Sequence, residues 1–228
     1  MSYLGLILII GTLDISSPDW WEETYSNAEY LISSPSRWDK EDWLASAFII
    51  SACGGIMTKD EKIQDWIQGE RSSASDHITQ LIEPFGAEGA ILGLAGLYIG
   101  GCLIQDTALK KIALLGAKSA IISSVVVTAL KVLIGRARPY TDEGAFSYSL
   151  FNIYASHQSL PSGHTSTAFA IASCLAEECE NPLAKIVSYG AAVLVGLSRI
   201  HDDKHWASDV FLGSAIGIGV GRTVSKLR

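Results

Sequence analysis

Three short stretches place cations and histidines at spacings that suit the capture of an anion. The first is Lys131-Val-Leu-Ile-Gly-Arg-Ala-Arg138-Pro139. Seven residues make almost two helical turns, so Lys131 and Arg138 share a face, and Pro139 stops the helix just beyond them. A lone ammonium after a long apolar run is costly unless it meets an anion, although a snorkelling lysine at a positive helix end would leave the same residues. The second stretch is Pro161-Ser162-Gly163-His164, followed by Thr-Ser-Thr-Ala-Phe-Ala. Ser162 is placed to cap a helix that opens at Gly163 or His164, where free backbone N–H groups and the helix dipole favour an anion. Gly163 permits a close approach, and His164 sits ready to give a proton to a leaving oxygen. An ordinary capped helix with an incidental histidine reads the same way. The third stretch is Ser198-Arg199-Ile-His-Asp-Asp-Lys-His205-Trp-Ala-Ser-Asp209. Its spacing puts His205 and Asp209 on one helical face. There the carboxylate can hold one imidazole nitrogen and leave the other as a bare nucleophilic lone pair. The bland alternative is a charged turn between helices.

The elements that must position these groups are helical. Six apolar segments run roughly over Trp43–Met57, Ala87–Ile104, Ile112–Gly135, Thr165–Ala176, Leu183–Leu197 and Val210–Gly221, and none alternates with the two-residue period of a strand. The expected fold class is all-α, a bundle of about six core helices with the site at one end. In an up-and-down bundle the end of the third helix, the start of the fourth, the end of the fifth and the start of the sixth share one side. The three stretches therefore converge. Residues 58–86 carry Ile63, Trp66, Ile67, Ile78, Leu81 and Ile82 at helical spacing, which predicts amphipathic surface helices closed by Pro84. Residues 1–42 form an N-terminal segment and 43–228 the bundle domain. The apolar run at 4–10 is short enough for a signal-peptide core but has no preceding cation. Residues 16–42, with Trp20, Trp21 and Trp38, suit a loop or a helix resting on an apolar surface.

Composition narrows the setting. Hydrophobic residues make up 48% of the 228 and charged residues 18%, with a net charge of −7. That charge argues against a nucleic-acid partner, whose phosphates require a basic surface. The four cysteines form no C-x-x-C pair and read as small hydrophobes rather than zinc ligands. The pairs Glu177-Glu178 and Asp202-Asp203 read as solvated charge. A membrane span needs about 20 apolar residues. The second and third segments reach that length, and the shorter ones suit a soluble bundle equally well.

The order K-x6-R-P, P-S-G-H, S-R-x5-H-x3-D resembles the type 2 phosphatidic acid phosphatase and vanadium haloperoxidase superfamily, with every signature position filled between residues 131 and 209. The resemblance implies a metal-independent, cofactor-free phosphatase acting on a phosphomonoester or diphosphate, and the apolar segments favour a lipid phosphate as substrate and a membrane as setting. His205 would attack phosphorus, Asp209 would orient it, and His164 would serve as general acid and then base. Lys131, Arg138, Ser162, Gly163 and Arg199 would bind the phosphate. The same signature serves soluble periplasmic acid phosphatases and vanadate-dependent haloperoxidases, and a non-catalytic membrane protein that kept the pocket is a further alternative. Lys110, Lys111, Lys185, Arg222, Lys226 and Arg228 fall opposite the site, and Lys204, with Arg136 as a second cation, falls beside it. The excess of positive charge at the far end predicts a site on the non-cytoplasmic side. Residues 140–160 form a long connection whose aromatics either line an entrance or pack on neighbouring helices.

Overall fold

In the computed structural model, residues 17–86 and 88–227 are described, so the apolar run at 4–10 and Arg228 lie outside the described residues. Helix α1 spans Pro18–Ile32, α2 Lys40–Met57, α3 Asp60–Gly69, α4 Ser73–Ile82, α5 Glu88–Leu103, α6 Thr107–Ile134, α7 Gly163–Glu178, α8 Pro182–His201 and α9 Ala207–Lys226. No strand occurs among the described residues. Each of the six apolar segments became a core helix (α2 and α5–α9), and polar side chains cap several of them. Asp39 and Asp42 form a capping box on α2, and the Asp106 carboxylate accepts from the N–H groups of Ala108 and Leu109 at the start of α6. Asn181 caps α8, with Pro182 in its first turn. Gly135 ends α6 at φ +61°, and its N–H bonds the Lys131 carbonyl at 2.9 Å. A Cβ there would lie 1.6 Å from the Ser149 carbonyl oxygen, so only glycine lets the chain turn back against its own loop.

Helix α7 is the central element. It is buried nearly all round, as expected of a helix enclosed by others. It supplies Cys174 to a cluster with Leu115, Ile122, Val220 and Val224, and Ala168, Phe169 and Ala172 to another with Ala192 and Val195. It also supplies Ile171 to a third, with Leu94 and Ala120. It approaches α9 closely. A Cβ on Gly217 would sit 2.3 Å from the Ser166 carbonyl oxygen, and one on Gly221 would sit 2.3 Å from that of Ala170. Small residues let the two backbones touch. Buried hydroxyls join α6 to α7, with Ser123 and Ser166 2.6 Å apart.

Helices α6 and α8 are long and apolar enough to cross a membrane, and α4 with its following turn passes that test only jointly with α5, across a bend of 57°. The expectation was α5 and α6. Helix α5 falls short because it ends at Leu103, whereas α8 runs on through Ser198–His201. Leu44, Phe48, Ile91, Leu103, Leu183, Ile186 and Val187 on α2, α5 and α8 turn outward. Such a belt fits lipid rather than water. Helix α1 packs Ala28 and Leu31 on the first cluster, and Glu23 pairs with the buried Lys118 of α6.

Candidate active site

The four helix ends do meet on one side. A cavity of about 380 Å³ is lined by Glu83, Lys131, Arg138, Tyr140, Ala155, Gly163, His164, Arg199, Lys204 and His205. Six of the eight residues expected at a phosphate site line it: Lys131, Arg138, Gly163, His164, Arg199 and His205. The other two stand behind the wall. Ser162 is fully buried, and its hydroxyl meets that of Thr165 at 2.8 Å rather than capping α7. Asp209 is fully buried behind His205.

Lys131 and Arg138 are tethered to a main-chain oxygen, and Arg199 to two carboxylates. Lys131 donates to the Gln158 carbonyl, and Arg138 Nη2 lies 3.4 Å from the same oxygen. Arg138 Nε is buried without a hydrogen-bond partner. A buried guanidinium N–H left open is costly, and an anion in the cavity would offset that cost. Arg199, only 2% exposed, donates to Glu83 at 3.0 Å and to Asp202 at 3.0 Å. Asp202, expected as solvated charge, instead orients this arginine. Glu178 likewise pairs with Lys111 at 3.0 Å, and its side chain is buried.

His205 lies in the turn just before α9 rather than within the helix, and Asp209 reaches it from the first turn. Asp209 Oδ2 is 3.6 Å from His205 Nδ1, in ion-pair range but too long for a hydrogen bond. Nε2 is left as the nitrogen on the cavity side. The carboxylate is itself fixed. Its Oδ2 accepts from the Trp206 N–H at 2.9 Å and from the Ser159 hydroxyl, and its Oδ1 accepts from Arg136 Nη1 at 2.6 Å. The Ser162 N–H also donates to the Asp209 carbonyl at 2.9 Å, which ties the start of α7 to the start of α9. Burial lowers the His205 pKa to about 3, outweighing Asp209, so the ring is neutral, and with its proton on the Nδ1 that faces Asp209 the Nε2 lone pair would be free. His164, at the mouth of α7 and outside the α6 and α8 spans, is lowered to about 4 by burial and then by Arg199. A phosphate dianion in the cavity offsets those cations and favours the protonated ring that a general acid requires.

Two residues depart from their sequence reading. Arg136, expected as a surface cation, is fully buried among Asp60, Asp209 and Ser208. Of the connection's aromatics, Tyr140 alone lines the cavity, with Lys204 5.1 Å above its ring, whereas Phe146, Phe151 and Tyr154 stand exposed. Glu83 and Asp60 carried no signal in the sequence. Each is one charge in a polar stretch, and only the fold brings it to the site.

A second cavity of about 380 Å³ is lined in part by the same turn as the first. It is apolar and runs between α5, α7 and α8 past Phe85, Gly93, Leu97, Ile171, Leu175 and Val195. That turn, at 83–86, contributes to both, with Glu83 in the polar cavity and Phe85 in the apolar one. Gly86 sits so close that a Cβ would lie 2.8 Å from Val195 Cγ1 and 2.9 Å from His164 Cβ.

The PAP2 superfamily model matches residues 113–228. The lipid A 1-phosphatase of Rhizobium etli is 29% identical over 162 residues, which cover 65% of this chain and 69% of that protein. That of Porphyromonas gingivalis is 41% identical over 98 residues, 42% of this chain, and the match spans only 19% of the relative's length. Among solved structures, Aquifex aeolicus LpxE aligns with a TM-score of 0.58 at 26% identity, covering 73% of this chain and 94% of that one. A Bacillus subtilis PAP2 type phosphatidylglycerolphosphate phosphatase aligns at 0.62 and 23% identity, covering 79% and 92%, and supports the fold alone.

Proposed function

Because this chain belongs to the PAP2 superfamily, we propose that it is a metal-independent membrane phosphatase that removes a phosphate from a lipid through a phosphohistidine. The observation that carries this reading is a pair of cavities lined from one turn, residues 83–86. One holds Lys131, Arg138 and Arg199 with two imidazoles, and the other is an apolar groove of acyl-chain character. His205 Nε2 attacks phosphorus as the P–O bond to the lipid breaks, and His164 gives its proton to the departing oxygen. His164 then takes a proton from water, which attacks the phosphohistidine, breaks the P–N bond and releases orthophosphate. The charge spread over the transferring group is met by the three cations and the first N–H groups of α7, which is the main work of phosphoryl-transfer catalysis. The names of the relatives direct attention to the 1-phosphate of lipid A as the first substrate to test.

Charge supports one membrane orientation. Lys40, Lys110, Lys111, Lys185, Arg222 and Lys226 lie at the end remote from the site. With Arg136 buried, the site end carries Lys204 and, from α3 and its flanks, Lys59, Lys62 and Arg71. The remaining excess favours a non-cytoplasmic site. In a Tyr148→Cys variant, labelling from outside intact cells is expected, and labelling only after permeabilisation would refute this orientation.

Orthophosphate release by the full chain in detergent micelles tests the activity, with lipid A, phosphatidic acid and p-nitrophenyl phosphate as substrates and EDTA present throughout. Turnover of a lipid phosphate in EDTA is expected. Loss of activity in EDTA, or activity confined to the soluble ester, would overturn the reading.

A further inference from the structure

Behind the nucleophile lies a set of buried charges, two of which, Asp60 and Arg136, are not signature positions. The Arg136 guanidinium is fully buried and every edge of it is engaged. Nη1 donates to Asp209 at 2.6 Å and to the Ser208 hydroxyl at 2.8 Å, and Nη2 donates to Asp60 at 2.8 Å. Nε and Nη2 also donate to the Ala145 carbonyl at 2.9 and 2.7 Å. Asp60, 1% exposed at the first position of α3, accepts the Ser208 N–H at 2.9 Å as well as the Ser208 hydroxyl. Two carboxylates thus grip one guanidinium, and one of the two is the group facing His205.

We infer that Asp60 and Arg136 are positioning residues for the reaction, an Asp60–Arg136–Asp209 chain that fixes the carboxylate against which His205 is aligned. This assignment rests on the phosphatase reading above. Asp209 cannot rotate toward or away from His205 without breaking its bond to Arg136, and Arg136 cannot follow it while Asp60 and the Ala145 carbonyl hold the other edge. Asp60 reaches the site from α3, outside the 113–228 family match. It is therefore the means by which a surface helix of the N-terminal half sets the geometry of the nucleophile. Asp60 binds Nη2 while Asp209 binds Nη1 through Oδ1, so Asp60 grips the guanidinium without competing for the Asp209 oxygen that faces the imidazole.

The test compares Asp60→Asn with the wild-type full chain in detergent, counting intact sites by vanadate bound per chain. Asparagine keeps the shape and can still accept the Ser208 N–H, but it lacks the charge. The expected result is one vanadate per chain, KM within about threefold of wild type, and kcat per vanadate-binding site lowered about ten- to hundredfold, the cost of losing a group that orients a catalytic ligand. Cys53→Ala is the packing control, since Cys53 meets the Ser208 carbonyl at 3.7 Å without touching the charges. It is expected to retain kcat within about twofold. Wild-type kcat per site in Asp60→Asn would overturn the assignment. So would a loss that only tracks lost vanadate sites, because that marks a purely structural role. An inactive wild type that nonetheless binds vanadate would bring down the phosphatase reading and this assignment with it.

Discussion

Replacing Asp209 with asparagine changes one atom and should disable the nucleophile. In the native site both carboxylate oxygens accept from donors, Oδ1 from Arg136 and Oδ2 from the Ser159 hydroxyl and the Trp206 N–H, while Oδ2 also faces His205 Nδ1. An amide offers only one acceptor. With its nitrogen toward Arg136, two donors collide and the imidazole loses the negative charge that steadies it. With its nitrogen toward His205, it opposes the Trp206 N–H and drives the ring into the tautomer whose lone pair points away from the cavity. Either choice leaves a buried donor unmatched, at about 1–3 kcal/mol. The analogous change in a serine-protease triad costs about four decades in kcat. We predict a fall of about three to four decades in kcat, or about 4–5.5 kcal/mol on the barrier, with vanadate affinity changed far less because the cradle is untouched. Steady-state kinetics and vanadate inhibition on the same preparation provide the assay. A kcat within tenfold of wild type would refute the idea that Asp209 sets the imidazole's tautomer and charge.

Three further outcomes follow from the same geometry. Because the folded protein holds His205 and His164 neutral down to about pH 3 and 4, the unfolded chain gains protons first as pH falls below about 6.5. Stability should then decline toward pH 4 by up to about 1.4 kcal/mol per pH unit for each imidazole. A flat thermal midpoint between pH 6.5 and 4.5 in both wild type and His205→Asn would contradict this. Gly217→Ala should destabilise the fold by about 1–3 kcal/mol through its collision with the α7 backbone. Gly219→Ala, whose Cβ would meet nothing within 4 Å, should not, and equal thermal midpoints for the two variants would deny the tight α7–α9 approach. Gly93→Leu points into the apolar groove, where its Cβ meets nothing within 4 Å. It should raise KM for a lipid phosphate about tenfold and leave p-nitrophenyl phosphate unaffected; equal effects on both would separate the groove from substrate binding.

The sequence carried the helices and the cradle because both leave local traces. Apolar runs bounded by Asp39, Asp106, Asn181 and Gly135 mark the core helices, and K-x6-R-P sits where α6 must end. Pairings across the fold left no such trace. Arg136 occupies the same short motif as Arg138, yet one faces a cavity and the other is sealed against Asp60, 76 residues away. Glu83 and Asp202 look like surface charge until Arg199 is found between them. The helical spacing of His205 and Asp209 was right about their contact and wrong about its origin, since His205 precedes α9. Helix α5 is too short for a span on its own and qualifies only together with the segment before it: hydropathy shows how apolar a segment is, while its length depends on where caps and turns stop the helix.

The central claim is that His205 carries the phosphoryl group, and the most direct test is to trap it. After brief reaction with radiolabelled p-nitrophenyl phosphate and an alkaline quench, which preserves phosphohistidine, the label should be on the peptide containing His205. It should be absent from His205→Ala, and it should accumulate in His164→Ala, where the good leaving group needs no acid but water lacks its base. Label on another residue, or undiminished turnover by His205→Ala, would contradict the account.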